Sequence, residues 1–201
     1  MFIDRPVGID LGTTNSEIAE LLPHEREILL YADKFGRRTV PSAVAWDGKG
    51  FVVGHAARQR RASAEPPVES IKRKMGQRTR VTVGPHELLP EEVSAKILAE
   101  LVARMREHLA QKAEKDALPR RLTRAVITVP AYFDAPQIEA TRKAGEIAGL
   151  NVIGVLQEPT AAAIYHTWKR KLGDGNFLVY DLGGGTFDVS VLEIGDGVFE
   201  V

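Results

Sequence analysis

The spacing of apolar positions changes along the chain. Before about residue 54, short apolar runs at 7–9, 28–31 and 43–46 alternate with polar turn residues, which is typical of strands joined in hairpins. After residue 90, helical repeats alternate with short β-branched runs such as 125–129. Because strands and helices alternate in the second half, the sequence predicts the α/β class.

Three helices are predicted in that second half. The clearest covers residues 90–111, where apolar residues recur every four positions from Val93 onward. A second helix is predicted from Pro136 to a glycine cap at 149, and a third over residues 160–172, ended by Gly173.

Composition excludes several classes of function. Hydrophobic residues make up 44% and charged residues 27% of the 201 residues, the balance of an ordinary soluble domain. Lys and Arg together number 27, as do Asp and Glu, so the net charge is zero. Zero net charge argues against nucleic acid or an anionic membrane as the main partner. We interpret the cluster of Arg58, Arg60 and Arg61 as a solvated face.

The absence of cysteine removes another set of possibilities. Without cysteine the chain has neither disulfides nor thiolate metal sites, which fits a reducing compartment. The first residues lack the basic region and long apolar run of a signal peptide, and no run of about 18 apolar residues could span a membrane. A cytoplasmic location is therefore expected.

Two similar segments lie far apart, at residues 7–14 and 179–186. Each consists of an apolar strand, then Asp-Leu-Gly, then Gly or Thr residues, followed by another strand. In the second copy we predict a strand over 177–180, a turn over 181–186 and a strand from 187. Two such units predict two halves that face each other across a cleft.

The residue types in these turns suit a phosphate ligand. Glycine lets the backbone approach a ligand closely and point N–H groups at it. Thr13, Thr14 and Thr186 add hydroxyl donors. Asp10 and Asp181, at the ends of their strands, supply hard oxygen ligands for Mg²⁺, which is usually held through its own waters.

A purely structural interpretation competes with this one. A single Asp-Leu-Gly is weak evidence, since Asp and Gly are common turn residues. Two copies, each between predicted strands and each followed by Thr, favour a functional role. Neither copy is a Walker loop or a GxGxxG that opens a helix, because both are predicted to run from strand to strand.

Six motifs are distributed over nearly the whole chain: VGIDLGTTNS at 7–16, IKRKMG at 71–76, VITVPAYF at 126–133, AGEIAGL at 144–150, EPTAAA at 158–163 and DLGGGTFDVS at 181–190. Together, and in this order, they resemble the nucleotide-binding domain of the seventy-kilodalton heat-shock (DnaK-type) chaperone family. The resemblance implies an actin-like, ribonuclease-H-like fold and hydrolysis of ATP to ADP with Mg²⁺.

The resemblance also implies roles for individual residues. The first phosphate loop corresponds to Asp10, Gly12, Thr13, Thr14 and Asn15, and the second to Asp181, Gly183, Gly184, Gly185 and Thr186. The family's catalytic lysine corresponds to Lys72, Glu158 is expected near a metal-bound water, and Thr186 near the γ-phosphate. Asp10 and Asp181 are expected to hold Mg²⁺ through water, and Asp188 receives a weaker role. The family's switch proline corresponds to Pro130, which could equally be an ordinary strand terminator.

Two departures from the family pattern affect these expectations. The position where the family usually has a relay arginine is Ile138 here, which cannot make the charged contacts of an arginine. We therefore hypothesise that signalling between domains is weakened or differently wired. The resemblance also implies that a chain ending at Val201 holds only the opening strands of a second lobe, so we expect weak or undetectable ATP binding by this chain alone.

The expected domain organisation follows the family. Residues 1–38 and 112–176 would form the core of the first lobe, residues 39–111 an inserted subdomain, and residues 177–201 the beginning of the second lobe. A J-domain co-chaperone, a nucleotide-exchange factor and unfolded polypeptide clients are the partners that the resemblance implies for a full-length protein.

Two alternatives stay open at this point. One is a non-catalytic relative that acts as a partner-binding module, and the other is a sugar or acetate kinase of the same actin-like superfamily. The intact Asp10, Lys72, Glu158 and Asp181 argue against the first for a full-length parent protein, whereas the expected lack of most of the second lobe argues for it in this chain. The motif IKRKMG argues against the second.

Overall fold

The computed structural model describes residues 3–22, 27–111, 120–121, 123–184 and 187–201. The strands within these ranges are β1 (Ile3–Asp4), β2 (Val7–Asp10), β3 (Asn15–Leu22), β4 (Glu27–Leu30), β5 (Val40–Pro41), β6 (Ala43–Trp46), β7 (Phe51–Val53), β8 (Val68–Glu69), β9 (Val81–Val83), β10 (His86–Leu88), β11 (Arg120–Arg121), β12 (Arg124–Val129), β13 (Asn151–Gln157), β14 (Gly175–Leu182), β15 (Phe187–Gly195) and β16 (Val198–Glu200). The helices are α1 (His55–Arg58), α2 (Pro90–Gln111), α3 (Ala135–Ile147) and α4 (Glu158–Arg170), with a short 3₁₀ helix at Ile71–Lys74.

A mixed sheet forms the centre of the molecule. Its strands run in the order β13-β12-β2-β3-β4, and β5 pairs with β3. β12 is parallel to both β2 and β13, whereas β2, β3 and β4 are antiparallel neighbours. Alternate residues of β2 and β12 are buried, which directs Val7, Ile9 and Ile127 into the core and Asp10 to the other side. The mixed α/β class predicted from the sequence is confirmed.

The helices α2 and α3 cover this core. α2 spans the residues predicted for it, and its stripe of Ile97, Leu98 and Leu101 is fully buried. α3 begins with a capping box. The Asp134 side chain accepts a hydrogen bond from the backbone N–H of Gln137, and the Gln137 side chain accepts one from the backbone N–H of Asp134. None of the helices in the described part of the chain combines the length and the apolar character needed to cross a membrane.

Four smaller sheets accompany the central one among the described residues, and one of them is the parallel pair β1-β11. β7-β6-β8 and the hairpin β9-β10 lie in the region predicted as the insert, and β14-β15-β16 forms a separate antiparallel sheet. One face of that last sheet packs against Ala163 of α4 through Leu192 and Ile194. Large apolar side chains on the strands β14 and β15 are exposed instead: Leu178, Tyr180, Leu182, Phe187, Val189 and Val191.

Two local predictions were wrong, and some short strands were not predicted at all. Asp181 and Leu182 belong to β14 rather than to the turn, because pairing with Asp188 and Phe187 extends the ladder. α4 ends at Arg170, where Lys171 takes the left-handed conformation and so replaces the predicted stop at Gly173. The strand β10 was missed because its sequence, His-Glu-Leu, contains no apolar run. The proposed domain boundaries stay a prediction.

Candidate functional site: a cleft between two hairpins

The two Asp-Leu-Gly hairpins open onto one cleft of about 500 Å³. The hairpin β2–β3 forms one wall and β14–β15 another, while the 3₁₀ helix and the first turn of α4 contribute to the lining. Its lining includes most of the residues expected at the site: Asp10, Gly12, Thr13, Thr14, Asn15, Lys72, Pro130, Glu158, Asp181, Gly183 and Gly184. Gly185 and Thr186 lie outside the described residues.

Asp10 is held by a residue that sequence reasoning missed. The hydroxyl of Thr128 on β12 donates to Asp10 Oδ1 at 2.9 Å. The parallel register pairs Ile127 with Ile9, so the residues that follow them in the two strands lie side by side at the strand ends. Asp10 is also the cross-strand partner of Glu17, and the pKa of Glu17 is raised by burial and by the charge of Asp10, although Arg38 opposes this.

The carbonyls of the first loop are anchored away from the cleft. Ser42 donates from its hydroxyl to the Gly12 oxygen at 2.7 Å and from its backbone N–H to the Thr14 oxygen at 2.9 Å. Because C=O and the following N–H point in opposite directions in a trans peptide, this turns the N–H groups of Thr13 and Asn15 away from Ser42. N–H groups arranged in this way form the kind of concavity that binds anions.

Arg58 completes this anchoring and corrects an interpretation of the sequence. Its guanidinium donates to the Thr14 oxygen at 2.9 Å, and its side chain is only 28% exposed. The cluster of three arginines is therefore not simply a solvated face. Arg61, with its side chain 59% exposed, is the member that fits that interpretation better.

Glycine is required where the loops are tight. A Cβ added at Gly12 would lie 2.1 Å from the Asn15 carbonyl oxygen, a distance that backbone atoms cannot accept. A Cβ added at Gly184 would lie 2.7 Å from Thr14 Oγ1, which places the second loop directly against the first. The two loops are therefore in contact across the cleft.

Lys72 and Glu158 form a buried ion pair at the side of the cleft. Lys72 lies in the 3₁₀ helix, which follows Ser70 in a left-handed conformation, and is 5% exposed. Burial is the main reason that the pKa of Glu158 is raised, and the negative charges of Asp10 and Asp181 add to it, while Lys72 acts in the opposite direction. Glu158 therefore lies within electrostatic reach of the aspartates of both hairpins.

A smaller cavity of about 170 Å³ adjoins the cleft. Pro130, Tyr132, Glu158, Asp181 and Asp188 contribute to its lining. This places Asp188 beside the cleft rather than within it. Burial raises the pKa of the Tyr132 hydroxyl, with further contributions from the charges of Asp188 and Glu158.

Pro130 and Ile138 differ in their relation to the site. Pro130 follows the last residue of β12 and lines both cavities, so its position is compatible with a strand terminator and with a switch. Ile138 lies on α3, is partly buried and packs against the hydrophobic core. Its side chain is an ordinary packing residue in this arrangement, and the hypothesis of altered signalling stays a prediction.

The donor set fits a hydrated hard cation rather than a protein-caged metal. Across the described ranges, no group of three or more His, Cys, Asp or Glu side chains is placed to hold a metal ion. The cleft offers carboxylate oxygens from Asp10 and Asp181. Mg²⁺ is commonly bound by one or two carboxylates together with waters and substrate phosphates, so these residues suit it.

Fold and site together define a mixed α/β protein in which two glycine-rich hairpins close on a carboxylate-lined cleft. The chain belongs to the Hsp70 family, because the sequence profile described as Hsp70 protein matches residues 6–201.

Curated relatives agree with this assignment. The chain is 45% identical to the chaperone protein DnaK of Deinococcus proteolyticus and 46% identical to that of Deinococcus radiodurans, with 98% of this chain and 33% of each relative covered. It is 47% identical to the chaperone protein DnaK of Ureaplasma urealyticum, with 97% of this chain and 31% of the relative covered. The chain thus spans about a third of the length of these relatives. These matches favour neither the kinase nor the non-catalytic module.

Proposed function

We propose that the chain is the nucleotide-binding part of a DnaK-type chaperone and that its cleft binds ATP with Mg²⁺ and hydrolyses the ATP to ADP. The observation that supports this most strongly is the convergence of Asp10, Lys72, Glu158 and Asp181 on one cavity, although they come from four separate segments. The family membership supports the same proposal.

The proposed chemistry is phosphoryl transfer to water. The oxygen of water forms a bond to the γ-phosphorus and gives up a proton, the bond between that phosphorus and the ADP oxygen breaks, and the products are ADP, phosphate and a proton released to solvent. Such reactions are accelerated mainly by positioning and by neutralising charge. Mg²⁺, when bound, supplies part of that neutralisation. The N–H groups of the first loop and the ammonium of Lys72 supply the protein's part.

The ion pair between Lys72 and Glu158 affects how the site would bind a triphosphate and orient a water molecule. A triphosphate would compete with Glu158 for the ammonium of Lys72. As Lys72 moves toward phosphate, the carboxylate of Glu158 is released from its ion pair with the ammonium. A carboxylate of this kind is suited to orient a water molecule through a hydrogen bond. Thr128 fixes Asp10 meanwhile, so that its second oxygen can face a hydrated cation.

The finer assignments belong to this proposal as well. We propose the actin-like fold with the core, inserted and second-lobe segments given above, supported by the division of the described strands into a central sheet and separate smaller sheets. The J-domain co-chaperone, the exchange factor, the unfolded clients and a cytoplasmic location are proposed on the family membership.

Nucleotide titration with matched lysine variants tests the proposal. We expect Mg·ATP to bind the chain weakly, and we expect Lys72→Ala to weaken it by about tenfold or more, because hydrogen bonds from charged groups are among the stronger ones. Lys143→Ala serves as the control, since Lys143 is an exposed lysine of α3 paired with Glu146. Binding and ADP formation are measured by calorimetry and chromatography. Equal values for both variants, in chains shown to be folded by circular dichroism, contradict the proposal.

A further inference from the structure

Arg58 connects two parts of the site that are far apart in sequence. It is the last residue of α1, and one guanidinium reaches both parts. Nη2 donates to the Thr14 carbonyl at 2.9 Å, and Nε lies 3.4 Å from Oε1 of Glu69. Thr14 belongs to the first loop, whereas Glu69 lies three residues before Lys72.

Glu69 is itself a well-fixed anchor. Arg61 donates to both of its oxygens, at 2.9 and 2.8 Å. The hydrogen bond from Arg61 is the main reason that the pKa of Glu69 is lowered, and the charge of Arg58 adds to it, so the carboxylate stays ionised near neutral pH. Glu69 also pairs with Ala43 in the register of β8 on β6.

A short, constrained path leads from Glu69 to Lys72. Ser70 adopts a left-handed conformation with φ of 55°, which side chains other than glycine rarely take. Ile71 and Lys72 follow in the 3₁₀ helix and are both buried. The left-handed Ser70 and the backbone hydrogen bonds from Arg73 to Ser70 and from Met75 to Lys72 restrict this segment, so we expect a displacement of β8 to move Lys72 as well.

A second connection runs in parallel with the arginine. Ser42, which holds the carbonyls of Gly12 and Thr14, directly precedes Ala43, the partner of Glu69. The backbone of residues 42–43 therefore links the first loop and β8 on one side, while the Arg58 side chain links them on the other. An arginine suits this position because one end of its planar guanidinium donates to the carbonyl, while the charged Nε lies 3.4 Å from the carboxylate as an ion-pair contact without a hydrogen bond.

We propose that Arg58 is a positioning residue that keeps the first loop and the Lys72 segment in a fixed relative position by bridging the Thr14 carbonyl and the Glu69 carboxylate. The functional part of this inference rests on the proposed function, since a phosphate bound between the loop and Lys72 requires that relative position. The structural part, that these two segments move together because of Arg58, stands without any nucleotide.

Hydrogen exchange of the 201-residue chain tests the structural part. Arg58→Ala is expected to speed amide exchange in residues 12–16 and also in residues 70–75, by about tenfold in each. Glu69→Gln, which keeps the shape of the side chain but removes its charge, is expected to speed exchange in residues 12–16 although it contacts none of them. Arg60→Ala is the control, because within the described part of the chain Arg60 makes neither a hydrogen bond nor an ion pair with Thr14 or Glu69.

The outcomes separate the bridge from its alternatives. Faster exchange in only one of the two segments of Arg58→Ala, or an unchanged loop in Glu69→Gln, overturns the inference. So does an equal effect of Arg60→Ala, which would show that any arginine of this segment matters through its charge. If Arg58→Ala fails to fold, Glu69→Gln alone decides the question.

A nucleotide experiment then tests the functional part. In single-turnover hydrolysis of Mg·ATP, Arg58→Ala is expected to lower the rate constant of hydrolysis by about tenfold with a smaller change in ATP affinity. The reason is that the variant loses the relative position of the first loop and Lys72 rather than a direct contact with ATP. An affinity loss that accounts for the whole effect overturns the positioning role. If the wild-type chain hydrolyses no ATP, the proposed hydrolysis fails for this 201-residue chain, while the exchange result still decides whether the bridge exists.

Discussion

Leu11 and Leu182 occupy the same place in the two Asp-Leu-Gly hairpins, yet Leu11 is 3% exposed and Leu182 is 81% exposed. The local sequence gives both segments a strand, a glycine-containing turn and a returning strand. What differs is the surroundings. The first hairpin lies in the central sheet beneath α2, whereas the second lies in a three-stranded sheet with one open face.

The difference shows that the Asp-Leu-Gly motif determines the local shape of a loop but not which neighbouring residues hold that loop in place. The first loop has a hydrogen-bonded anchor on each side, from Thr128 to Asp10 and from Ser42 and Arg58 to its carbonyls. The second loop rests against the first through the close approach of Gly184 to Thr14. We expect the first loop to be preorganised and the second to take its position from it.

The two leucines at equivalent hairpin positions, Leu11 and Leu182, are expected to differ most in their effect on the free energy of unfolding. Leu11→Ala removes a buried side chain and is expected to lower the free energy of unfolding by about 2–5 kcal/mol, whereas Leu182→Ala is expected to change it by less than about 0.5 kcal/mol. Urea unfolding followed by circular dichroism measures both. Similar losses would show that the outer face of the second hairpin is covered in solution.

The two glycines at the loops, Gly12 and Gly184, are expected to differ less in unfolding free energy than the two leucines, and the new methyl group meets different atoms in each. In Gly12→Ala the new methyl group meets backbone, so a loss of about 1–3 kcal/mol in unfolding free energy is expected. In Gly184→Ala it meets the side chain of Thr14, whose Oγ1 would lie 2.7 Å away and whose Cβ and Cγ2 would each lie 3.1 Å away, so the two loops must separate slightly and a smaller loss of about 0.5–1 kcal/mol is expected. The same unfolding experiment compares them. A larger loss for Gly184→Ala would mean that the second loop supports the first.

Thr128→Val tests the hydrogen bond that holds Asp10, the aspartate of the first hairpin. Losing the hydroxyl frees Asp10 to turn, and we expect the Mg²⁺-dependent part of nucleotide affinity to fall by up to about tenfold. Calorimetry with and without Mg²⁺ measures this. Thr82→Val on β9 is the control, since its hydroxyl bonds the exposed Glu87 instead. An equal loss without Mg²⁺ would argue against a role through the metal.

The smallest effect concerns the titration of Glu158. Its pKa is raised by burial first and then by Asp10 and Asp181, so Asp181→Asn is expected to lower that pKa and Lys72→Met to raise it. A carboxyl whose pKa is raised on folding stabilises the fold below its ordinary value of 4.5, and this contribution is lost as the pH rises through the raised value. Carbon-detected NMR titration measures the shifts. No response to Asp181→Asn would place the second hairpin farther from Glu158.

Much of the fold could be predicted because its signals are local. The four-residue repeat of α2 and the β-branched run of β12 each determine an element without knowledge of its neighbours. The repeated Asp-Leu-Gly likewise indicated facing hairpins. The exact end of α4 could not be predicted, since Gly173 is the better left-handed residue by intrinsic preference, yet Lys171 takes that conformation.

The anchors of the site could not be predicted because they depend on strand order. Thr128 is an unremarkable member of an apolar run until β12 is known to lie beside β2 in the register that brings it to Asp10. Ser42 and Arg58 are 30 and 44 positions away from the loop residues that they bind. No periodicity relates such residues, and only the packed structure brings them together.

The pairing of Lys72 with Glu158 has a consequence for which anions the cleft accepts. The ammonium already has the Glu158 carboxylate as its counter-ion, so an anion that binds there gains only the difference between its own attraction and that of the carboxylate. Sulfate or free phosphate, which makes few other contacts, is expected to gain little from this exchange. Under the proposed function, a longer polyphosphate that also reaches the loop amides gains more, so we expect the internal carboxylate to select against small, abundant anions.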